Sequence, residues 1–206
     1  TMEEDVHRRD FSINALYYDP EEQQLIDYVD GFHDVRKRRL RSLIPRDVTF
    51  AEDPVRMLRA VKYSAVHGLK IPFRLRRTIK KYSVELERCP PSRLTEEMMK
   101  ILQSGYSEKI FKDMIRMELM QYMLPVIDAL VKDPKRSDRD KFFESLERID
   151  RRVLEKGENR KGRLIAALVE GVCFIPEEWD NSAIVAQDMF KEIKRLIHPL
   201  TPPNQE

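Results

Sequence analysis

The stretch Glu52-Asp53-Pro54-Val55-Arg56-Met57-Leu58-Arg59-Ala60-Val61-Lys62-Tyr63 decides how this 206-residue chain is read. Two acids, a proline and then an apolar period predict a helix over 52–68, with the acids in its first turn and Pro54 just inside it. Leu58, Val61 and Ala65 fall on one face and are expected to be buried, whereas Asp53, Arg56 and Arg59, spaced i, i+3, i+6, line another. The same 3.6-residue period recurs downstream. Helices are expected over 31–42, 72–84, 92–104, 107–121, 122–132, 138–155, 160–173 and 181–197. Gly68, Pro90-Pro91, Ser104-Gly105, Gly157 and Pro176 punctuate them, and the segment from Lys132 to Arg139 is expected to be a loop.

Upstream of these helices the pattern changes. Asn14-Ala15-Leu16-Tyr17-Tyr18-Asp19, Pro20-Glu21-Glu22-Gln23-Gln24 and Leu25-Ile26-Asp27-Tyr28-Val29 read as strand, turn and strand. A lone hairpin is marginal in water, so these strands are expected to belong to a larger sheet whose other strands lie outside the chain. The fold class is therefore mainly α, with one N-terminal β-hairpin.

Composition narrows the class. Mean hydropathy is −0.57, and no apolar run approaches the roughly 18 to 20 residues that a spanning helix needs. The acidic start, Thr1-Met2-Glu3-Glu4-Asp5, is unlike a secretory or mitochondrial presequence, so a cytoplasmic location and no membrane partner are expected. Two cysteines without a CxxC pair, and four scattered histidines, suggest neither disulfide nor zinc, and no metal site is expected within the chain.

The net charge of +2 conceals a strong asymmetry. Between Arg36 and Lys81 fifteen basic residues face three acidic ones, Asp47, Glu52 and Asp53, which leaves the remainder of the chain acidic. A solvated helical face would normally interleave acids as i,i+4 partners; their scarcity here favours polyphosphate binding. Arg74, Arg76 and Arg77 are the candidate phosphate contacts on this block.

Two segments carry candidate chemistry. In Arg8-Arg9-Asp10-Phe11-Ser12-Ile13-Asn14-Ala15, adjacent arginines offer donors to phosphate oxygens and the following acid an acceptor for a ribose hydroxyl. Such a triplet alone is equally compatible with a surface ion pair. In the second segment an Asp beside an Arg is either a helix salt bridge or a reader of bases. Adenine presents an amino donor beside a ring-nitrogen acceptor, and cytosine presents the same order. A carboxylate and a guanidinium match both, while guanine and uracil present the reverse and would leave both groups unpaired, at roughly 1–3 kcal/mol each.

Taken together, in this order and spacing, the segments resemble those of the class II nucleotidyltransferases, the family of bacterial poly(A) polymerases and CCA-adding tRNA nucleotidyltransferases. Arg8 to Ala15 is similar to the family's RRDFTINA motif. Asp30-Gly31-Phe32-His33-Asp34-Val35 through Arg39-Leu40-Arg41 resembles its GGxxDLxxxxLR hinge, with Asp30 in place of the first glycine. Glu52 to Ala60 resembles its EDPxRxLRA helix, and Ser92-Arg93-Leu94-Thr95-Glu96-Glu97 the R-L-x-x-E element after it. Tyr28-Val29, where CCA-adding enzymes usually carry Pro-Phe, and Cys89 to Leu94 are closer to the poly(A) polymerase pattern.

The resemblance implies template-independent transfer of AMP from ATP to the 3′ hydroxyl of an mRNA or tRNA. Arg9 and Asp10 would contact phosphate and ribose, Asp53 and Arg56 would read adenine, and Arg8, Asn14 and Arg59 would support them. Residues 1–30 would be the end of the nucleotidyltransferase head, 31–131 a nucleotide-reading neck and 132–206 an RNA-binding body. The family's Mg²⁺-binding carboxylates sit in a head segment upstream of RRD, and no acidic pair here corresponds to them. The chain by itself is thus expected to bind nucleotide and RNA without catalysing. CCA addition, or a non-catalytic helical RNA-binding module, are the alternatives.

Overall fold

The computed structural model describes residues 1–134, 136, 138–173 and 182–201. Two compact units divide the chain, Thr1–Leu86 and Glu87–Glu206. The first holds α1 (Met2–Val6), the hairpin β1 (Leu16–Asp19) and β2 (Gln24–Asp27), then α2 (Gly31–Arg36), α3 (Arg46–Glu52), α4 (Val55–Val66) and α5 (Phe73–Tyr82). The second holds α6 (Pro91–Leu102), α7 (Ser107–Arg116), α8 (Met120–Met123), α9 (Pro125–Lys132), α10 (Asp138–Lys156), α11 (Lys161–Glu170) and α12 (Ser182–Ile197). Among the described residues β1 and β2 form the single sheet, antiparallel, with Leu16 opposite Asp27 and Asp19 opposite Gln24. The mainly helical architecture with one N-terminal hairpin is as the sequence leads one to expect. The expected breaker Pro176 lies outside the described residues.

Boundaries shifted where side chains or proline override the helical period. Asp27 ends β2 because its carboxylate turns to cap the next helix, accepting from the backbone N–H groups of Val29 (3.1 Å), Gly31 (2.9 Å) and Phe32 (2.9 Å). Burial opposes ionisation of Asp27, but these N–H donors outweigh it and hold its pKa below the ordinary value. Asp30, standing where the resembling hinge has glycine, adopts left-handed backbone at φ 58°, which Asp tolerates better than most residues.

The helix expected over 31–42 stops at Arg36. Beyond it the chain runs extended: Lys70 N–H donates to the Arg38 carbonyl (2.7 Å), Leu40 N–H to Lys70 (3.0 Å), Ser12 N–H to Arg41 (3.0 Å) and Leu43 N–H to Asp10 (3.2 Å). This lacing fixes the segment after Arg8-Arg9 against the core, where Phe11 and Leu40 are buried. The helix expected from Glu52 is likewise corrected. Glu52 closes α3, and Asp53 is extended at φ −139°, ψ 88°, because a residue preceding proline is driven out of the helical region. Farther on, Glu118 at φ 62° interrupts the expected 107–121 helix, and Leu124 before Pro125 separates α8 from α9.

An ion cluster locks the first unit. Asp34, wholly buried, accepts from Ser12 Oγ (2.9 Å), from Arg39 Nε (2.9 Å) and Nη2 (2.6 Å), and from Arg41 Nε (2.5 Å). Its burial disfavours the charge, yet these donors more than compensate and lower its pKa. Gly31 permits the approach of α2, since a Cβ there would sit 2.4 Å from the Ser12 carbonyl oxygen.

The second unit is built on rings and one buried cap. Phe142 on α10 packs edge-on to Phe111 on α7 with centroids 5.6 Å apart. Asp150 caps α7, accepting from Ser107 N–H (2.8 Å), Ser107 Oγ (2.7 Å) and Glu108 N–H (2.9 Å). Burial pushes its pKa up despite those donors.

Candidate nucleotide site

The seven residues expected to hold nucleotide, Arg8, Arg9, Asp10, Asn14, Asp53, Arg56 and Arg59, line one open cavity of about 430 Å³ together with Tyr63. Three elements bring them there. The loop after α1 supplies Arg8 to Asp10, the short 3-10 turn Ser12–Asn14 supplies Asn14, and α4 with Asp53 in the linker before it supplies the rest. The α4 face works as the spacing requires: Leu58, Val61 and Ala65 are buried on the opposite side, anchoring the helix while Arg56 and Arg59 look into the cavity.

The acids and bases of the site are already arranged in pairs. Asp10 is buried; its Oδ1 accepts from the Asn14 amide (2.8 Å) and the Phe11 N–H (2.9 Å). Its Oδ2 has no hydrogen-bond donor and faces Arg59 Nη1 at 3.6 Å. Arg56 Nε lies 3.8 Å from Asp53 Oδ2, an ion pair longer than a hydrogen bond. Both side chains are largely buried, at 17% and 15% exposure, so the charges act where water screens them weakly.

The two adjacent arginines differ in their commitments. Arg9 donates twice to Asp5 (3.0 and 2.8 Å) and once to the Asn14 carbonyl (2.9 Å), and its guanidinium covers the Tyr17 ring at 5.1 Å. Tyr17 Oη also donates to Asp5 (2.6 Å); that bond and the Arg9 bonds hold the Asp5 carboxyl below its ordinary pKa, and Asp5 in turn raises that of Arg9. Arg8 is exposed and lines the cavity; among the described residues its guanidinium makes no side-chain hydrogen bond or close ion pair, and it acts on Asp5 only through its charge. Arg9 is therefore committed to contacts within the first unit, whereas the Arg8 guanidinium has no hydrogen-bonded partner among the described residues.

Two residues of the site were not identified from sequence. Tyr63 continues the register of Asp53, Arg56 and Arg59 by four more positions, a signal that was present. Thr49 on α3 is buried and receives Arg56 Nη1 at both its hydroxyl (3.1 Å) and its carbonyl (3.4 Å), a contact no local spacing reveals. Arg74, Arg76 and Arg77 are exposed on α5, away from the cavity lining, around the buried Leu75 and Ile79.

The only carboxylates lining the cavity, Asp10 and Asp53, each face a guanidinium, and no cluster of three or more metal-ligating side chains occurs among the described residues. These side chains suit an anionic, hydrogen-bonding ligand; they do not fit a divalent-cation cage.

Residues 1–41 match the poly A polymerase head domain, and residues 68–131 the domain described as a probable RNA and SrmB-binding site of polymerase A. Poly(A) polymerase I of Escherichia coli O157:H7 is 35% identical over 154 residues, covering 74% of this chain and 33% of that protein. The multifunctional CCA protein of Xanthomonas axonopodis pv. citri is 32% identical over 143 residues, covering 67% and 34%. The chain thus spans about a third of the length of these curated relatives. Among solved structures, a CCA-adding enzyme with ATP superposes with a TM-score of 0.66 at 26% identity, covering 96% of this chain and 44% of that one. The Thermotoga maritima CCA-adding enzyme complexed with tRNA gives 0.65 at 26% identity, with 96% and 45% covered. By these matches, and by the order of motifs that builds the cavity, the chain belongs to the nucleotidyltransferase family of bacterial poly(A) polymerases and CCA-adding enzymes.

Proposed function

We propose that this chain is the nucleotide-reading and RNA-holding part of a template-independent poly(A) polymerase that adds AMP from ATP to RNA 3′ ends. The observation that carries the reading is the convergence of Asp53, Arg56, Arg59, Arg8 and Asp10 on one cavity. Asp53 accepts from the adenine amino group and Arg56 donates to the adjacent ring nitrogen; Arg8 and Arg59 face the phosphates, and Asp10 with Asn14 faces the ribose. Residues 1–30 close a head domain, 31–131 form the neck and 132–206 the body, with the exposed Arg74, Arg76 and Arg77 touching the RNA backbone. Mg²⁺, which would neutralise the triphosphate and activate the attacking hydroxyl, is held by head carboxylates outside this chain, so the chain alone binds without catalysing.

Support for ATP over a mixed CTP and ATP specificity comes from Tyr28-Val29 ahead of the hinge and from the identity of 35% to poly(A) polymerase I. CCA addition is the second reading, favoured by the likeness to CCA-adding enzyme structures and by the Asp–Arg pair, which suits cytosine as well as adenine. Nucleotide addition by the full-length protein separates them. Addition of many AMP residues to an unstructured RNA supports the first reading. Addition of CMP, then AMP, confined to a tRNA lacking its terminal nucleotides overturns it.

A further inference from the structure

We infer that Thr49 is a positioning residue for base selection, setting the geometry of both Asp53 and Arg56. The inference rests on the reading of that pair as the base reader. Its basis is the way one buried residue of α3 grips both partners. The Thr49 carbonyl accepts from the Asp53 backbone N–H (3.1 Å) and from Arg56 Nη1 (3.4 Å), and the Thr49 hydroxyl accepts from Arg56 Nη1 at 3.1 Å. Arg56 is the one described residue that bonds this hydroxyl.

The need for such a grip follows from the backbone. Asp53 closes the α3 ladder through its N–H but is driven to extended backbone by Pro54, so the helical period does not dictate where its carboxylate points. Arg56 has four rotatable side-chain bonds, and its ion pair to Asp53 at 3.8 Å is too long to fix the guanidinium plane. Its other acidic neighbour, Glu52, also stands at 3.8 Å and is mostly exposed. Thr49 engages Nη1 through both its hydroxyl and its carbonyl, leaving Nε and Nη2 without a hydrogen bond among the described residues. A guanidinium held on one side pays less ordering entropy when a nucleotide arrives, and its donors stay in register with the Asp53 acceptor. Thr49 is itself fixed, being buried within α3 beside the wholly buried Phe50.

The test compares Thr49→Val, which keeps the branched shape and removes the hydroxyl, with Thr49→Ser, which keeps the hydroxyl, in the full-length protein. The readout is the ratio of kcat/KM for ATP to that for GTP, with thermal stability measured alongside. Thr49→Val is expected to lower the ratio about tenfold, the loss corresponding to one hydrogen bond to a charged group, and Thr49→Ser to restore it to within about twofold. In an Arg56→Ala background, Thr49→Val is expected to change the ratio no further, because its effect passes through Arg56. An equal loss with every nucleotide, leaving the ratio intact, assigns Thr49 to general stability and overturns the inference. If Thr49→Val leaves the ratio unchanged while Arg56→Ala collapses it, the inference alone is overturned. A ratio unmoved by Arg56→Ala overturns the base-reading assignment as well.

Discussion

Replacing Asp34 by Asn tests whether the ion cluster behind the cavity holds the first unit together. The substitution preserves size and removes the charge at a side chain that is 1% exposed and accepts from two guanidiniums and a hydroxyl. Breaking a fully buried pair from one side costs about 3–5 kcal/mol. Here Arg39 and Arg41 retain 48% and 35% exposure, so water can recover part of their solvation and the expected loss is about 2–3 kcal/mol. Urea unfolding followed by far-UV circular dichroism reads it, with Glu147→Gln as a control. That control breaks an exposed pair to Arg151 at 3.3 Å and is expected to cost no more than about 0.5 kcal/mol. The effect carries a pH signature. Because the folded-state pKa of Asp34 lies below the unfolded one, its contribution is complete above the ordinary carboxylate range and drains away as pH falls through the folded pKa. The gap between wild type and Asp34→Asn is therefore expected to narrow in acid. Equal losses for Asp34→Asn and Glu147→Gln at neutral pH, or a gap that widens on acidification, would refute the reasoning.

Other consequences follow from the surface and the second unit. Changing Arg74, Arg76 and Arg77 together to Ala is expected to reduce the slope of log affinity for single-stranded RNA against log salt by about 2, read by fluorescence titration; an unchanged slope would mean that they touch no phosphate. Asp150→Ala strands the buried N–H of Ser107 and the part-buried N–H of Glu108 and is expected to destabilise the chain by about 2–3 kcal/mol in urea unfolding, well beyond an exposed cap. Arg8→Ala is expected to weaken ATP more than adenosine in equilibrium binding, whereas a loss equal for both would move Arg8 away from the phosphates.

The helices and the hairpin were legible because periods of 3.6 and 2 and the breakers between them are local properties. The cavity was legible for a related reason. Two motifs each place three or more site residues within a turn or two of chain, so their meeting needed only the right packing. What escaped is what depends on distant backbone. The extended lacing of residues 38–43 against Ser12 and Lys70 is made of single bridges with no period of their own, so the helix over 31–42 was read too long. Pro54 carried a boundary signal that points at Asp53 and was outweighed by the acid-rich look of a helix start. Thr49 reaches Arg56, seven positions on, across the junction between α3 and α4, and Arg9, read as a phosphate ligand, is tied to Asp5 and the Asn14 carbonyl.

The central claim is that Asp53 and Arg56 read one base edge, and steady-state kinetics of the full-length protein with all four nucleoside triphosphates test it most directly. Asp53→Ala and Arg56→Ala are each expected to cost about 1–3 kcal/mol in kcat/KM for ATP and to relax rejection of GTP and UTP. Because the two groups serve one edge, the double substitution is expected to lose less than the sum of the single ones. Full ATP activity and undiminished discrimination in both single variants would contradict the account and reduce the pair to a salt bridge at the start of α4.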